Sequence, residues 1–326
     1  MRLAKAVLLA TTILSTGISS AKADVNVMAS IKPIHSLVSA VMEGVGKPSL
    51  IIEGAGSPHT YALKPSQAAE LQDANLIFWV GHDLETFLEK PIEGLASEAV
   101  AITLSNAHGL TKIKFREGGA FDSHDHDDHD DHDKHDDHDD HDKHDDHDDH
   151  GHDGFDPHVW LDPANAKAIV HEIEEALVAA DPANASTYEA NADKMMGELD
   201  TLISEIDAEL EPVRGKGYIV FHDAYQYFER RFGVSAVGSI TVSPEILPGA
   251  KRVSELREKV KSLDATCVFS EPQFEPKLVQ TITENTNART GVLDPLGADL
   301  ASGPNMYFTL IRNMARSLKD CLSGKG

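Results

Sequence analysis

The sequence lacks the features of membrane-embedded and nucleic-acid-binding proteins. Beyond its first 23 residues it has no apolar run long enough to span a bilayer. It has no basic patch, and its formal net charge of −25 repels nucleic acid and anionic lipid. We therefore expect no nucleic-acid partner.

Cysteine is scarce, and Cys267 and Cys321 are the only two. In an exported protein an even pair indicates one disulfide, which would contribute roughly 4 kcal/mol by constraining the unfolded chain. Two buried free thiols are the alternative interpretation. The cysteines are too far apart in sequence to indicate a metal site.

Residues 1–23 have the pattern of a cleavable secretory signal peptide. Arg2 and Lys5 precede a short apolar run, which ends before the small-residue cleavage pattern Ala21-Lys22-Ala23. An uncleaved membrane anchor is the alternative, although the apolar run is too short to span a bilayer comfortably. No cysteine follows the cleavage pattern, so we expect no lipid attachment there. The pattern predicts export to a bacterial periplasm.

Residues 122–153 consist almost entirely of Asp and His. They contain seventeen Asp against two Lys, a net charge of −15, which leaves −10 for the rest of the chain. With no apolar side chain to offset the ordering entropy, this insertion is predicted to be disordered. Imidazoles bind metals and carboxylates attract divalent cations, which predicts several weak auxiliary metal sites; a solvated acidic spacer is the alternative. The insertion's histidines are His124, His126, His129, His132, His135, His138, His141, His144, His147, His150 and His152.

The rest of the chain alternates between short β-rich runs and helical periods, which predicts an α/β fold with parallel sheets. A long helical stretch over residues 184–212 would extend about 43 Å and is interpreted as a connector between two lobes. The predicted strands are 25–29, 49–52, 75–80 and 99–104 before it, and 218–222, 234–240, 266–269 and 291–293 after it.

These elements predict two lobes, each a mostly parallel sheet with flanking helices, joined by one long connector helix. The N-terminal lobe is assigned to residues 24–163 and includes the insertion. Residues 164–213 hold helices including the connector, and residues 214–326 form the C-terminal lobe.

Seven histidines lie outside the insertion, and three of them stand apart by position. His59 and His222 fall beyond the carboxyl ends of predicted strands, where open α/β sheets bind ligands, and Asp294 meets the same criterion. His158 lies in a turn bounded by prolines. Three imidazoles and one oxygen donor suit Zn²⁺, although isolated histidines are more often structural. The others, expected to be structural or solvated, are His35, His82, His108 and His171.

Four segments resemble the metal-site segments of the ZnuA-type periplasmic zinc-binding proteins, the cluster A-I or cluster 9 solute-binding proteins of zinc ABC transporters. They occur in order along nearly the whole mature chain: SPHTYALKPS (57–66), DPHVWLDP (156–163), FHDAYQYF (221–228) and LDPLG (293–297). The resemblance implies two α/β lobes joined by one long helix, with a zinc ion between them. It also implies delivery of zinc to an inner-membrane ABC permease and its ATPase, by a protein that we expect to be monomeric.

The resemblance also implies specific residues. His59, His158 and His222 would be the zinc ligands, and His222 favours zinc because related manganese-binding proteins tend to have a carboxylate there. Some zinc-binding members have Glu before the first histidine, where this chain has Pro58. Asp294 is therefore the first candidate for the fourth ligand, and water is the second.

Two further features match the family. A His/Asp-rich insertion before the second segment is typical of it and implies an auxiliary zinc collector or sensor. Cys267 and Cys321 match the positions of a disulfide in some relatives.

Competing functions are a metal-storage, buffering or adhesion protein and, with less support, a zinc hydrolase. The His-Glu-x-x-His signature of a hydrolase fails, because Glu175 stands where the second histidine would be after His171-Glu172. We therefore expect a binding protein and not an enzyme.

Glu53 and Glu271 are weak candidates for roles behind the ligands or in contact with the permease.

Overall fold

A computed structural model describes residues 25–116, 121, 154–241, 249–262 and 267–324. The predicted signal peptide at 1–23 and the Asp/His-rich insertion at 122–153 lie outside the described residues. Of the helices in the described ranges, none combines the length and the apolar content needed to cross a bilayer.

The first half of the chain forms a four-stranded parallel sheet in the order β2-β1-β3-β4. The central strands β1 and β3 are fully buried, as expected of a parallel sheet covered on both faces. The strands are β1 (Val27–Ala29), β2 (Ser49–Leu50), β3 (Leu76–Trp79) and β4 (Val100–Thr103), and the helices between them are α1 (Lys32–Val41), α2 (Pro65–Gln72) and α3 (Thr86–Leu95).

The second half repeats this arrangement with a parallel sheet in the order β6-β5-β7-β8. The prediction of two parallel α/β lobes is thus confirmed. The strands are β5 (Tyr218–His222), β6 (Ala236–Thr241), β7 (Cys267–Ser270) and β8 (Arg289–Val292), and the helices are α6 (Gln226–Phe232), α7 (Ala250–Ser262), α8 (Lys277–Thr283) and α9 (Met306–Ser323).

Two helices lie between the sheets in sequence, α4 (Pro163–Ala180) and α5 (Ala185–Leu210). With 26 residues, α5 is about 39 Å long. It packs against α1 of the first half and α9 of the second half, as well as against α4. Its buried side chains recur every three or four residues and form one stripe: Tyr188, Ala192, Met195, Leu199, Leu202, Ile206 and Leu210.

The main hydrophobic core is continuous through both halves. It includes strand residues from both sheets, the stripe of α5, and large side chains such as Trp160 and Tyr307, which are fully buried between the halves. A smaller apolar cluster lies between the second sheet and helices α7 and α8. The two lobes therefore share one packed interior.

The disulfide predicted from the cysteine pair is present. It joins Cys267 of β7 to Cys321 near the end of α9, and both residues are buried. The bond attaches the C-terminal helix to a central strand of the second sheet.

Candidate metal centre

His59 lies in the loop that joins β2 to α2. Gln67, in the first turn of α2, donates a hydrogen bond to the carbonyl oxygen of Ile51, and its own side-chain oxygen accepts the backbone N–H of Lys64. The hydroxyl of Tyr61 also donates to the Ile51 carbonyl. These bonds connect the two ends of the loop, so that the partly buried His59 is presented from a closed loop.

His158 lies in the tight turn that leads into α4. The Oδ1 atom of Asp156 accepts the backbone N–H of His158 at 2.9 Å and lies 2.7 Å from its Nδ1. Asp162 then caps α4 by accepting the N–H of Ala164, and it pairs with Arg231 at 2.6 Å. The ring of His158 is thus fixed by its own turn, while the turn is held to α6.

His222 is the last residue of β5, and Glu271 follows β7 directly. Because β5 and β7 are parallel neighbours, their carboxyl ends meet at one edge of the sheet. There, Oε1 of Glu271 lies 2.7 Å from Nδ1 of His222. Both residues are buried.

The three imidazoles come together between the lobes. One nitrogen from each ring lies within 4.8 Å of the others, and within the described ranges this is the group of His, Cys, Asp or Glu side chains placed to hold a metal ion. The ring centroids of His59, His158 and His222 are 5.2 to 5.7 Å apart. The structure thus assembles the three histidines that the sequence singled out.

The carboxylates determine which ring nitrogens face the shared space. Asp156 and Glu271 can only accept while ionised, so in the neutral imidazoles of His158 and His222 the proton lies on Nδ1 and Nε2 keeps its lone pair. The Nε2 atoms of His158 and His222 are 3.3 Å apart. Two nitrogens bound to one tetrahedral zinc at 2.0 to 2.1 Å would be about 3.3 to 3.4 Å apart, so this pair has the spacing of zinc ligands.

The cluster holds its imidazoles in different protonation states. Burial lowers the pKa of His59 and of His158 well below the ordinary value, and repulsion from the neighbouring imidazoles adds to this effect. Burial also acts to lower the pKa of His222, but attraction to Glu271 and other nearby carboxylates outweighs it and leaves this pKa raised. Two of the three rings are therefore neutral at pH 7, whereas His222 holds its proton more firmly.

Asp156 is also affected by its surroundings. Burial raises the pKa of this carboxyl to about 7, against the opposing effect of donors from the His158 backbone and Gln226. A cation bound between the imidazoles would favour the ionised form.

The space between the imidazoles is a cavity of about 10 Å³. That volume accommodates one water-sized sphere, and the ligand pockets of organic molecules are at least an order of magnitude larger. The arrangement can therefore hold a single ion. The lining residues are Ser57, Pro58, His59, His158, Trp160, His222, Glu271, Gln273, Phe274, Pro295 and Leu296.

The structure does not bring Asp294 into this cluster or into the lining of the cavity. Its Oδ1 accepts the backbone N–H groups of Leu296 and Gly297, and its Oδ2 accepts that of Ala298 at 2.6 Å. An Asp that follows a strand often binds the backbone of its own turn in this way. The sequence therefore placed Asp294 at the correct edge of the sheet, but its carboxylate binds the backbone of its own loop.

Sequence reasoning missed Asp156 and Gln273 and gave Glu271 little weight. Asp156 could have been found from its position two residues before His158, because a carboxylate often orients a metal-binding imidazole. The contact between Glu271 and His222 depends on the pairing of β5 with β7, and that order of strands is not visible in the sequence.

The other described histidines lie elsewhere, as expected. His35 is buried in the first lobe with its Nε2 3.1 Å from the carbonyl oxygen of Pro48. His82 pairs with Glu89 at 3.0 Å, His171 lies 3.5 Å from Glu174 on α4, and His108 is exposed.

The chain has clear relatives. The family described as "ZnuA: Zinc-uptake complex component A periplasmic" matches residues 27–321. The chain is 60% identical to the high-affinity zinc uptake system protein ZnuA of Brucella suis over 305 residues, which cover 91% of each chain. It is 36% identical to the protein of the same name from Yersinia pestis, again over 91% of each.

Solved structures show the same fold. A structure titled "Crystal structure of ZnuA" has a TM-score of 0.71 and 24% identity, covering 91% of this chain and 100% of that one. The laminin-binding protein of Streptococcus agalactiae, titled a "bifunctional protein with adhesin and metal transporting activity", has a TM-score of 0.71 at 23% identity, covering 91% and 99%. With a family match over residues 27–321 and a curated relative that is 60% identical over 91% of both chains, the chain belongs to the ZnuA family of periplasmic zinc-uptake components.

Proposed function

We propose that this chain is the zinc receptor of an ABC importer, and that it holds Zn²⁺ between its lobes with the imidazoles of His59, His158 and His222. The observation that carries this proposal is the convergence of three imidazoles, one from each of three distant segments, on a cavity the size of one ion. Water is proposed as the fourth ligand in place of Asp294.

The donor set supports zinc as the cargo. Neutral imidazole nitrogens suit Zn²⁺, whereas Mn²⁺ and Mg²⁺ prefer carboxylate and other oxygen ligands. Here both nearby carboxylates, Asp156 and Glu271, lie against the Nδ1 atoms and so orient the rings. High-affinity zinc uptake is also the activity named for the curated relatives.

The chain is a binding protein and not an enzyme. Its family consists of zinc-uptake components, and the cavity has no room for an organic substrate beside the ion. Among the described residues that line the cavity, Glu271 is the one carboxylate, and it is already engaged with His222.

Location and partners follow from the same proposal. We infer that residues 1–23 direct export to the periplasm, that the mature protein is monomeric, and that it passes zinc to an inner-membrane permease driven by its ATPase. The insertion at 122–153 would collect or sense zinc through weak, exchanging sites. Ordering a flexible segment around an ion costs entropy, so these sites should be weaker than the formed one.

Release of zinc is proposed to occur by local loop motion. The continuous core and the packing of α5 against both lobes oppose a wide hinge movement. The segment around His59 lies between the hydrogen-bonded ends of its loop and is exposed at residues 53–55 and 60, so a local movement there would leave the shared core in place.

Uptake measurements test the importer role. In bacteria that lack this chain, the wild type should restore growth on limiting zinc and uptake of radioactive zinc, while His222→Ala should restore neither. His171→Ala, which removes a half-exposed histidine of α4, is the matched control and should behave as the wild type. If His222→Ala supports normal uptake, the receptor proposal fails and storage by the insertion becomes the better account.

A further inference from the structure

The side chain of Gln273 lines the metal cavity, and its oxygen has no hydrogen-bond partner among the described residues. Gln273 follows β7, two residues after Glu271, and its side chain lines the same cavity as the three imidazoles. Its Oε1 is buried and has no hydrogen-bond partner within the described part of the chain. A buried acceptor of this kind is costly unless a donor reaches it.

The orientation of the Gln273 amide is fixed by chemistry. Its Nε2 lies 2.9 Å from Oδ1 of Asp294, and an ionised carboxylate can only accept hydrogen bonds. The NH₂ end must therefore face Asp294, which directs the carbonyl oxygen to the opposite side. This assignment settles the usual ambiguity between the two ends of an amide.

Asp294 is itself locked in place. Its carboxylate accepts three backbone N–H groups of its own turn, at residues 296, 297 and 298. The carbonyl oxygens of Gly297, Ala298 and Leu300 then accept hydrogen bonds from the buried ammonium group of Lys32, at the start of α1 in the other lobe. Gln273 is thus held by a chain of contacts that crosses the interface between the lobes.

We propose that Gln273 accepts a hydrogen bond from the water molecule that completes the coordination of zinc, and that Asp294 acts through Gln273 as a positioning residue. An amide oxygen is an uncommon zinc ligand but a good acceptor, and a zinc-bound water is a strengthened donor because the ion withdraws charge from it. This inference rests on the proposed zinc site.

The neutral charge of Gln273 has a consequence for metal choice. A carboxylate at this position would add a charged oxygen of the kind that Mn²⁺ prefers. A neutral amide keeps the metal ligands at three imidazoles and one water, and this ligand set suits a tetrahedral zinc ion. Gln273 is therefore also a specificity-determining residue.

The first test replaces Gln273 with Met, which keeps the length of the side chain and removes the amide. Zinc affinity of the mature protein, measured by competition with a chelator, should fall about tenfold, the effect of losing one hydrogen bond to a charged centre. The visible spectrum of bound Co²⁺ should remain that of a four-coordinate site, because the ligands are unchanged. Gln280→Met on the exposed face of α8 is the control and should not alter affinity. Unchanged zinc affinity in Gln273→Met would overturn the proposal.

The second test uses Gln273→Glu and the ratio of Zn²⁺ to Mn²⁺ affinity. The added carboxylate should shift this ratio about tenfold towards Mn²⁺. If Gln273 had a purely structural role, the change would weaken the binding of both metals equally. An unchanged affinity ratio would therefore contradict the proposal. Because Gln273→Glu also removes the donor to Asp294, it is made together with Asp294→Asn, whose amide can donate to the new carboxylate. Glu has the size of Gln, so this pair of changes also serves if Gln273→Met does not fold.

The role of Asp294 is tested by combining variants. Asp294→Asn should weaken zinc binding on its own but add little to Gln273→Met, because both changes disable the same contact. Fully additive losses would show that Asp294 does not act through Gln273. His59→Ala separates this inference from the proposed function. If tight zinc binding survives His59→Ala, the assignment of the zinc site fails. If tight binding is lost in His59→Ala while Gln273→Met leaves zinc affinity unchanged, only the role of Gln273 is rejected.

Discussion

Two of the three clustered imidazoles are each held by a buried carboxylate. His158 pairs with Asp156 and His222 pairs with Glu271, both at 2.7 Å. These contacts set the tautomer, direct Nε2 towards the cavity and make the nitrogen a better donor to a metal. In the proposed zinc site, these carboxylates would therefore contribute to zinc affinity without touching the ion.

Replacement of Glu271 tests this contribution. Glu271→Gln should weaken zinc binding 10- to 100-fold, the usual cost of losing a partner behind a metal-binding histidine. Competition with a chelator measures the effect. Glu53→Gln is the matched control, because Glu53 is exposed and, among the described residues, its side chain makes one long ion pair, with Lys64 at 3.9 Å. Equal affinity in both variants would refute the role of Glu271.

The protonation states predict the pH dependence. Zinc must displace the proton of His222, whose pKa is raised, and it benefits from ionised Asp156, whose pKa is raised to about 7. As the pH falls through these values, the empty site gains protons and zinc affinity should decrease, by up to tenfold per pH unit for each proton displaced. His59 and His158 have lowered pKa values, so they add nothing to this decrease near neutral pH.

Apparent dissociation constants between pH 8 and pH 5.5 check this expectation. In Glu271→Gln the decrease should move to lower pH, because the attraction that raises the pKa of His222 is gone. Zinc affinity that stays constant over this range would contradict the protonation states described above.

The three histidines could be identified from sequence because each lies in a recognisable context, such as the end of the β5 strand for His222. Asp294 met the same positional criterion, but position alone does not reveal that backbone amides of its own turn bind the carboxylate. Gln273 was not singled out and Glu271 was only a weak candidate, since their contacts depend on the spatial order of strands.

Among the secondary-structure elements, the sequence pattern predicted every strand of both sheets, with ends displaced by at most two residues. Helix α3 was not predicted. Its interior contains Pro91, which removes a helical hydrogen bond and makes the sequence a poor match to a helix. The buried stripe of α5 was visible in the sequence because its spacing alternates between three and four residues.

The disulfide between β7 and α9 should stabilise the second lobe. Removing it with the double variant Cys267→Ala and Cys321→Ala should lower the free energy of unfolding by about 4 kcal/mol, since the bond closes a loop with a sequence separation of 54. Urea denaturation measures the change. When the same double variant is made in a form that lacks residues 122–153, it should still bind one zinc ion, because neither sulfur lines the cavity. A loss below 1 kcal/mol would show that the bond adds little to stability.

For the whole molecule, the shared core predicts a receptor that changes little on binding. Small-angle scattering profiles with and without zinc should give the same radius of gyration, because α5 packs against both lobes and the apolar interior is continuous. A clear compaction on zinc addition would mean that the lobes close as rigid bodies, and the proposal of release by local loop motion would then be wrong.

The central claim is that one formed site between the lobes, and not the Asp/His-rich insertion, is the zinc receptor site. Zinc calorimetry should compare the mature protein, a form lacking residues 122–153, and that shortened form carrying His59→Ala. We expect one tight site that survives the deletion and disappears with His59→Ala. Loss of tight binding on deletion alone would instead identify a buffering or storage protein and contradict the receptor assignment.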